Sequence, residues 1–224
     1  MRPGKLRIIA LISILLACVP CLSWAITGRI VYIEGDVAVM SSGDTRSAQI
    51  GDPIQQGDTV STAPLSLAIL DLSNGTTVKL REKTTLAIDS LGDAAAVTLK
   101  AGGVFTSIAH HLVGTFDVKA SNAIAGVRGT QFFVAYGRTV DAMPDIWLCV
   151  QEGAVQVDLA TAGQTVVVPA GRGINIVGGA RITAPRRYPW TRKLNWNVDP
   201  ASGPVVDRTN LDDAYVDLLN QDYD

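Results

Sequence analysis

The residue types that do most enzyme chemistry are scarce in this 224-residue chain. Its two His are adjacent, His110-His111, and neighbours on a strand point to opposite faces, so they cannot readily share one metal ion. A hydrolytic triad needs a His oriented by a carboxylate and set beside a nucleophile. Ser107 and Asp117 lie close in sequence, and nothing else marks them as such partners. Carboxylates stand singly at turns, as in Gly51-Asp52, Gly57-Asp58 and Gly92-Asp93, where Asp bonds nearby backbone. Nothing selects a glycosidase pair among them. Asp207-x-x-Asn210-x-Asp212-Asp213 has oxygen ligands but neither the spacing nor the glycine of an EF-hand loop. Gly171-Arg172-Gly173 follows a strand and opens no helix, so it is not a phosphate loop. The expectation is a non-enzymatic protein with no catalytic residue, no metal site and no cofactor.

Binding chemistry is better represented. Arg186-Arg187-Tyr188-Pro189-Trp190-Thr191-Arg192-Lys193-Leu194-Asn195-Trp196 interleaves cations with aromatic rings. Such a segment can bind single-stranded nucleic acid, anionic glycans or a lipid surface. Arg186, Arg187, Tyr188, Trp190 and Trp196 are therefore candidate binding residues. The other reading is an arm whose Trp rings cover the rest of the protein while its charges face water or the acidic tail that follows.

The elements that must position these residues are strands. From Gly28 to about Gly178, short β-rich runs alternate with Gly, Asp, Asn and Ser, turn to turn every 10–14 residues. Leu65 to Leu72 and Thr76 to Leu80 flank Ser73-Asn74-Gly75, a strong hairpin signal because Asn-Gly tolerates positive φ. In the second run Thr77 and Lys79 point outward, Val78 and Leu80 inward. Ala94-Ala95-Ala96 reads as a turn into a strand. Gly35-Asp36-Val37-Ala38-Val39, then Gly57-Asp58-Thr59-Val60, is echoed by Gly153-Ala154-Val155-Gln156-Val157, then Gly171-Arg172-Gly173-Ile174. Repeated coils of short strands produce such an echo. The fold class is all-β: a twisted, solenoid-like or sandwich module of many short strands. A C-terminal arm follows, then a short amphipathic helix built on Leu211, Tyr215, Leu218 and Leu219 with Asn210 as cap.

Arg2, Lys5 and Arg7, the apolar run Ile8 to Cys18, Pro20 and Ser23-Trp24-Ala25 form a secretory leader. Residues 1–25 are thus a signal peptide, 26–180 the β-domain and 181–224 the arm and helix. Leu15-Leu16-Ala17-Cys18 also resembles a lipobox, which would attach lipid at Cys18 and anchor the protein to a membrane. Removing the leader leaves 16 basic and 21 acidic residues, a net −5 over 199 residues, with Cys149 the one remaining thiol. Residues 181–196 carry +5 and 197–224 carry −6. A periplasmic location follows, and with it no nucleic-acid partner.

Gly126-Val127-Arg128-Gly129-Thr130, then Gln131-Phe132-Phe133-Val134, resembles the Val-Arg-Gly-Thr-x-Phe-x-Val core of FecR-type domains. Five flanking pieces agree in order: the opening hairpin Gly28 to Val39, Gly51-Asp52-x-Ile54-x-x-Gly57-Asp58-x-Val60-x-Thr62, Ala68 to Leu80, Leu99 to Phe105, and Val150 to Val157. Together they span about 28–177. In this family the module is the periplasmic part of regulators of iron-uptake signalling, taking a signal from an outer-membrane receptor and controlling a sigma factor. This chain reads as a leader peptide where those regulators carry a sigma-binding domain and a membrane helix. The resemblance therefore implies the module alone, an exported domain that binds another envelope protein in signalling or sensing. A structural part in an envelope assembly, docked by the arm, and glycan binding through Trp190 and Trp196 are the alternatives. Within the motif, Gly126, Val127, Arg128, Gly129, Thr130 and Phe132 have structural roles to fill. Gly126 and Gly129 permit unusual φ, and Arg128 can hold turn carbonyls or, alternatively, touch a ligand. On the first role Arg128→Ala lowers the melting temperature markedly.

Overall fold

In a computed structural model, residues 28–72, 75–109, 114–127, 129–140, 142–187 and 189–212 are described, with Val127, Arg138, Val140, Pro189 and Trp190 as backbone only. Their strands form two nine-stranded sheets. Sheet A holds β1 (Gly28–Glu34), β4 (Pro53–Ile54), β6 (Leu67–Leu72), β7 (Thr76–Leu80), β10 (Gly103–Ile108), β13 (Gln131–Val140), β14 (Met143–Glu152), β17 (Gly173–Val177) and β18 (Arg181–Ile182). Sheet B holds β2 (Val37–Ser41), β3 (Asp44–Ser47), β5 (Thr59–Thr62), β8 (Thr85–Ser90), β9 (Ala94–Ala101), β11 (Thr115–Ala120), β12 (Ala123–Val127), β15 (Ala154–Leu159) and β16 (Gln164–Pro169). The chain lays one strand or hairpin in one sheet, crosses to the other, and advances. The resulting orders are β18-β17-β14-β13-β10-β7-β6-β1-β4 and β16-β15-β12-β11-β9-β8-β5-β2-β3.

Between the sheets lies one apolar core, from Ile30 and Val39 at one end through Leu70, Leu80, Val97 and Phe116 to Val155 and Ile174 at the other. In sheet B, β8, β11 and β15 alternate as half-buried strands should, inward residues buried and outward ones more open. Central strands of sheet A do not. β6, β10 and the run Ile146–Val150 are buried on successive residues, hence on both faces. Their continuous apolar sequences record a second covered face.

Three details depart from expectation. Ala94–Ala96 is not a turn: all three residues belong to β9, where Ala95 and Ala96 pair in parallel with Phe116 and Asp117. The sequence echo is real but its partner is Gly51-Asp52, not Gly57-Asp58. Ile30 N donates to Asp52 O (3.0 Å) and Gly51 N to Ile30 O (2.8 Å), while Val150 N donates to Arg172 O (2.9 Å) and Gly171 N to Val150 O (2.8 Å). The same unit, β1-β2-β3-β4 and β14-β15-β16-β17, thus closes the two ends of the stack. Lys79 does point away from the inter-sheet core, but it never reaches water: it is fully buried.

The hairpin at Gly75 forms, with Leu72 opposite Thr76 and Gly75 at φ +80°. The helix expected from Leu211 onward lies beyond the described residues except for its start, where Asn210 Oδ1 accepts from Asp212 N at 3.0 Å. The leader, Cys18, His110 and His111 also lie outside them.

Candidate functional site: a charged clasp beneath the C-terminal arm

On β7, strand alternation puts Thr77, Lys79 and, just past the strand, Arg81 on the outer face of sheet A. Register places Lys79 beside Phe105, Phe105 beside Phe133, and Phe133 beside Cys149. Phe105, Phe133, Ala135, Trp147 and Cys149 form an apolar patch on that face. The arm lies over it. Leu194 is buried in the patch, with Trp196, Val198 and Leu211 packed against it, and Val205 caps Leu67 and Ile69. Trp196 meets Phe105 edge-on, ring centroids 5.4 Å apart, and Phe133 meets Trp147 in the same way at 5.4 Å.

The arm is shaped for this by two asparagines. Asn195 Nδ2 donates to Pro204 O (2.9 Å) and Val206 O (3.0 Å), and Asn197 Nδ2 to Gly203 O (3.0 Å). They tie the stretch around 194–198 to the returning stretch 203–206. Three carbonyls then converge on the Lys79 ammonium: Asn195 O at 2.6 Å, Asn197 O at 2.7 Å and Val205 O at 3.0 Å. The Phe105 ring lies beneath, its centroid 4.1 Å from Nζ. An ammonium has three donors, and here each has an acceptor, while the ring face adds cation–π attraction. Burial nonetheless pushes the Lys79 pKa down to about 8, against the upward pull of Asp207 and with a further downward push from Arg81.

Arg81 makes the second fastening. Its Nε lies 3.0 Å from Asp207 Oδ2 with both side chains buried, and Nη2 donates to Thr209 O at 2.6 Å. Asp207 Oδ1 accepts from Asn195 N (3.0 Å) and Thr209 Oγ1 (2.7 Å). Burial lowers the Arg81 pKa, and Asp207 opposes it. The arrangement is a polar anchor and a chain clasp. Cys149, enclosed in the same patch, has its thiol pKa pushed well up by burial, which makes it unreactive packing.

Among the described residues, the outer face of sheet B has no such cover. It presents Thr98, Lys119, Ile124, Asp158 and Thr165 in one cross-strand row. Asp89 Oδ2 accepts from Thr98 Oγ1 (2.7 Å) and Lys119 Nζ (3.1 Å), and Asp158 Oδ1 accepts from Thr165 Oγ1 (2.6 Å). Partial burial raises the Asp117 pKa in the adjoining row; Lys119 opposes this and Asp158 adds to it. Among the described residues no His, Cys, Asp and Glu gather as a metal site.

The residues singled out by sequence fall in different places. Trp196 is half-buried in the clasp, its Nε1 donating to Thr191 O at 2.9 Å. Arg186 exchanges backbone hydrogen bonds with Gly173, and Arg187 is exposed. Tyr188 and Arg128 lie outside the described residues, as does the Trp190 side chain. Phe132 is buried in the inter-sheet core and Thr130 is buried just before β13. Gly129 has φ +62°. Gly126 takes an ordinary strand conformation, and a Cβ there would meet only Asp117 Oδ1 at 3.4 Å, so its expected special φ is corrected. The close approach instead lies at Gly153, where a Cβ would come within 2.8 Å of Gly129 O and 2.7 Å of Thr130 Cγ2. None of Lys79, Arg81, Asn195, Asn197 and Asp207 was a candidate site residue from sequence, although Lys79, Asn195 and Asp207 lie in segments the sequence reading named. Asparagines at 195 and 197, in a segment rich in Trp and Pro, were the available signal.

A family model described as FecR protein matches residues 58–167. Two crystal structures of a candidate anti-sigma factor from Parabacteroides distasonis ATCC 8503 are similar, each at 20% identity with a TM-score of 0.47. Each match covers 56% of this chain and 57% of the solved chain, so it spans little more than half of that protein's length. No curated protein matches the chain.

Proposed function

The chain carries a FecR domain at residues 58–167, and from that premise we propose that it is an exported, periplasmic, non-enzymatic protein-binding module of envelope signalling or sensing. The family is regulatory, and a signalling or sensing role is what the domain supports. The observation that carries the reading is the span of the match. It runs from the start of β5 to β16 and so takes in most of both sheets. The clasp adds a direction. Trp196 and Leu194 are engaged against the chain's own sheet A, which favours the open outer face of sheet B as the surface offered to another envelope protein. Cleavage after Ala25 gives a soluble protein, and acylation at Cys18 a membrane-anchored one.

The test is site-specific photocrosslinking in cells expressing the whole chain with its leader. A crosslinker at Ile124 or Lys119 is expected to capture an envelope protein, and one at exposed Arg187 is not. Capture only from Arg187 would favour the reading as an assembly part docked by the arm. A chain retained in the cytoplasm with its leader uncut would overturn the proposal, and the mass of the mature N-terminus separates free from acylated forms.

A further inference from the structure

A two-sheet stack has four edges, and three of them are blunted. β4 and β18, the edges of sheet A, are two residues long. β3, one edge of sheet B, is four residues, all exposed, and bears Asp44 and Arg46. Arg46 is also paired with Asp52. Short length and charge are the usual protections against strand addition. The fourth edge, β16, has neither. Gln164-Thr165-Val166-Val167-Val168-Pro169 is six residues long, has no charge, and carries three consecutive valines, with Val167 56% exposed.

The outward backbone groups of β16 can be assigned. Ala170 N donates to Gly153 O at 3.0 Å, and these two stand opposite in the register that pairs Ala154 with Pro169. Hydrogen-bonded and non-bonded pairs alternate along an antiparallel ladder. Val168, Val166 and Gln164 therefore bond β15 (Val155, Val157, Leu159), while Thr165, Val167 and Pro169 direct their backbone groups away from it. Pro169 lacks an N–H, and its carbonyl accepts from Arg172 N at 3.2 Å. Among the described residues, what remains outward is two donors and two acceptors, the N–H and C=O of Thr165 and Val167.

That set is self-complementary. Two copies of β16 placed antiparallel about a two-fold axis at Val166 set Thr165 opposite Val167 of the second copy and Val167 opposite its Thr165. Four N–H···O=C bonds form and every outward group is satisfied. No like charges meet, because the strand has none. Both side chains lie on the open outer face, where Thr165 and Val167 make a β-branched cross-strand pair. The far end of sheet B cannot continue the pairing, since β3 is short and charged, so the contact closes as a dimer rather than propagating as a fibre. We propose that β16 is the interface of an isologous homodimer, joining the B sheets of two chains edge to edge. The proposal stands on the edge geometry and is independent of any envelope partner.

The test is sedimentation equilibrium of the leader-free chain, from low-micromolar to submillimolar concentration. The wild type is expected to move from monomer to dimer and no further. Val167→Lys should stay monomeric over the same range. Val167→Pro should do the same, because the N–H it deletes points away from β15 and the internal ladder is kept. Circular dichroism of both variants checks that the sheet is intact, and if Val167→Pro fails to fold, Val167→Lys alone decides. A β3 control, Thr45→Lys, should dimerise like the wild type. A wild type that is monomeric throughout, or a folded Val167→Lys that still dimerises, overturns the proposal.

Discussion

The two outer faces of this stack come from the same alternating pattern and end in opposite states. On sheet B the outward residues are Thr, Asp, Lys and Gln around Ile124, and they meet water. On sheet A they include Phe105, Phe133, Trp147 and Cys149, which water would penalise, and two cations that would otherwise be unremarkable on a surface. A separate piece of chain closes over that face. Apolar contact supplies most of the driving force, while Lys79 and Arg81 fix where the arm sits, because each has acceptors only in one register. The lesson is that a cation on a strand does not mark the solvent side. What marks it is whether its neighbours in the cross-strand row are polar.

Removing the cover should break this contrast most. A chain ending at Arg187 exposes the patch around Phe105 and Trp147 and strips Lys79 of its three carbonyls. Losing buried Leu194 and Val205 and the Trp196 contact should cost about 5 kcal/mol or more. The expected result is poor solubility, strong binding of a hydrophobic dye, and a melting temperature lower by at least about 10 °C. A truncated chain as stable as the full one would mean that the arm is an ornament on sheet A.

Smaller, and more specific, is Asp207→Ala. The Arg81–Asp207 pair is buried on both sides, and deleting one partner of a buried pair typically costs about 3–5 kcal/mol because the other charge is stranded. Thermal melts should show a drop of roughly 10 °C. Replacing both, as Arg81→Met with Asp207→Leu, should recover much of the loss, since no lone charge is left. If the double variant is worse than the single, the pair contributes net stability.

Much of the fold was legible in sequence because its determinants are local. Gly35, Gly75 and Gly153 mark corners and hairpins through positive-φ backbone conformations that few other residues adopt, and β-branched runs mark the strands between. The six family pieces lie along those same strands. The clasp was less legible because it joins residues far apart: Lys79 meets acceptors 116 and 118 positions away. Alternation on β7 gave the side of Lys79 correctly but could not say what lay above it. The doubly apolar runs of β6, β10 and β14 did carry that information, since a strand with one wet face would have alternated. Ala94–Ala96 shows the reverse error: a run that reads locally as a turn is strand, held by parallel pairing with β11.

Lys79 itself sharpens the contrast through pH. Its folded pKa of about 8 lies below the ordinary lysine value of 10.5 because of burial. Between those values the unfolded chain keeps a proton that the folded chain has released, so this residue's contribution to stability rises with pH across that window. Lys79→Met removes the titration and leaves three carbonyls unmet, at a cost of about 2 kcal/mol near neutrality. The gap between wild type and Lys79→Met should therefore widen from pH 8 to pH 10 in matched denaturant titrations. A constant gap would mean that the three carbonyls and the ring hold the ammonium at its usual pKa.

The smallest thermal effect belongs to the open face, and there the comparison turns on binding. Ile124 is an exposed apolar side chain in a row of polar ones, and it lies outside the apolar clusters of the described residues. Ile124→Lys should shift stability by no more than about 0.5 kcal/mol, a change near the resolution of a melting curve. Set beside Lys119, it should nonetheless weaken capture of an envelope partner if sheet B is the face offered, because an apolar contact becomes a second positive charge. The informative result is this separation of effects. Clasp variants should lose stability first and binding only as a consequence, whereas Ile124→Lys should lose binding in a protein that melts like the wild type. Unchanged capture by Ile124→Lys would shift the search to the strand edges and to the rim of the arm around Arg187.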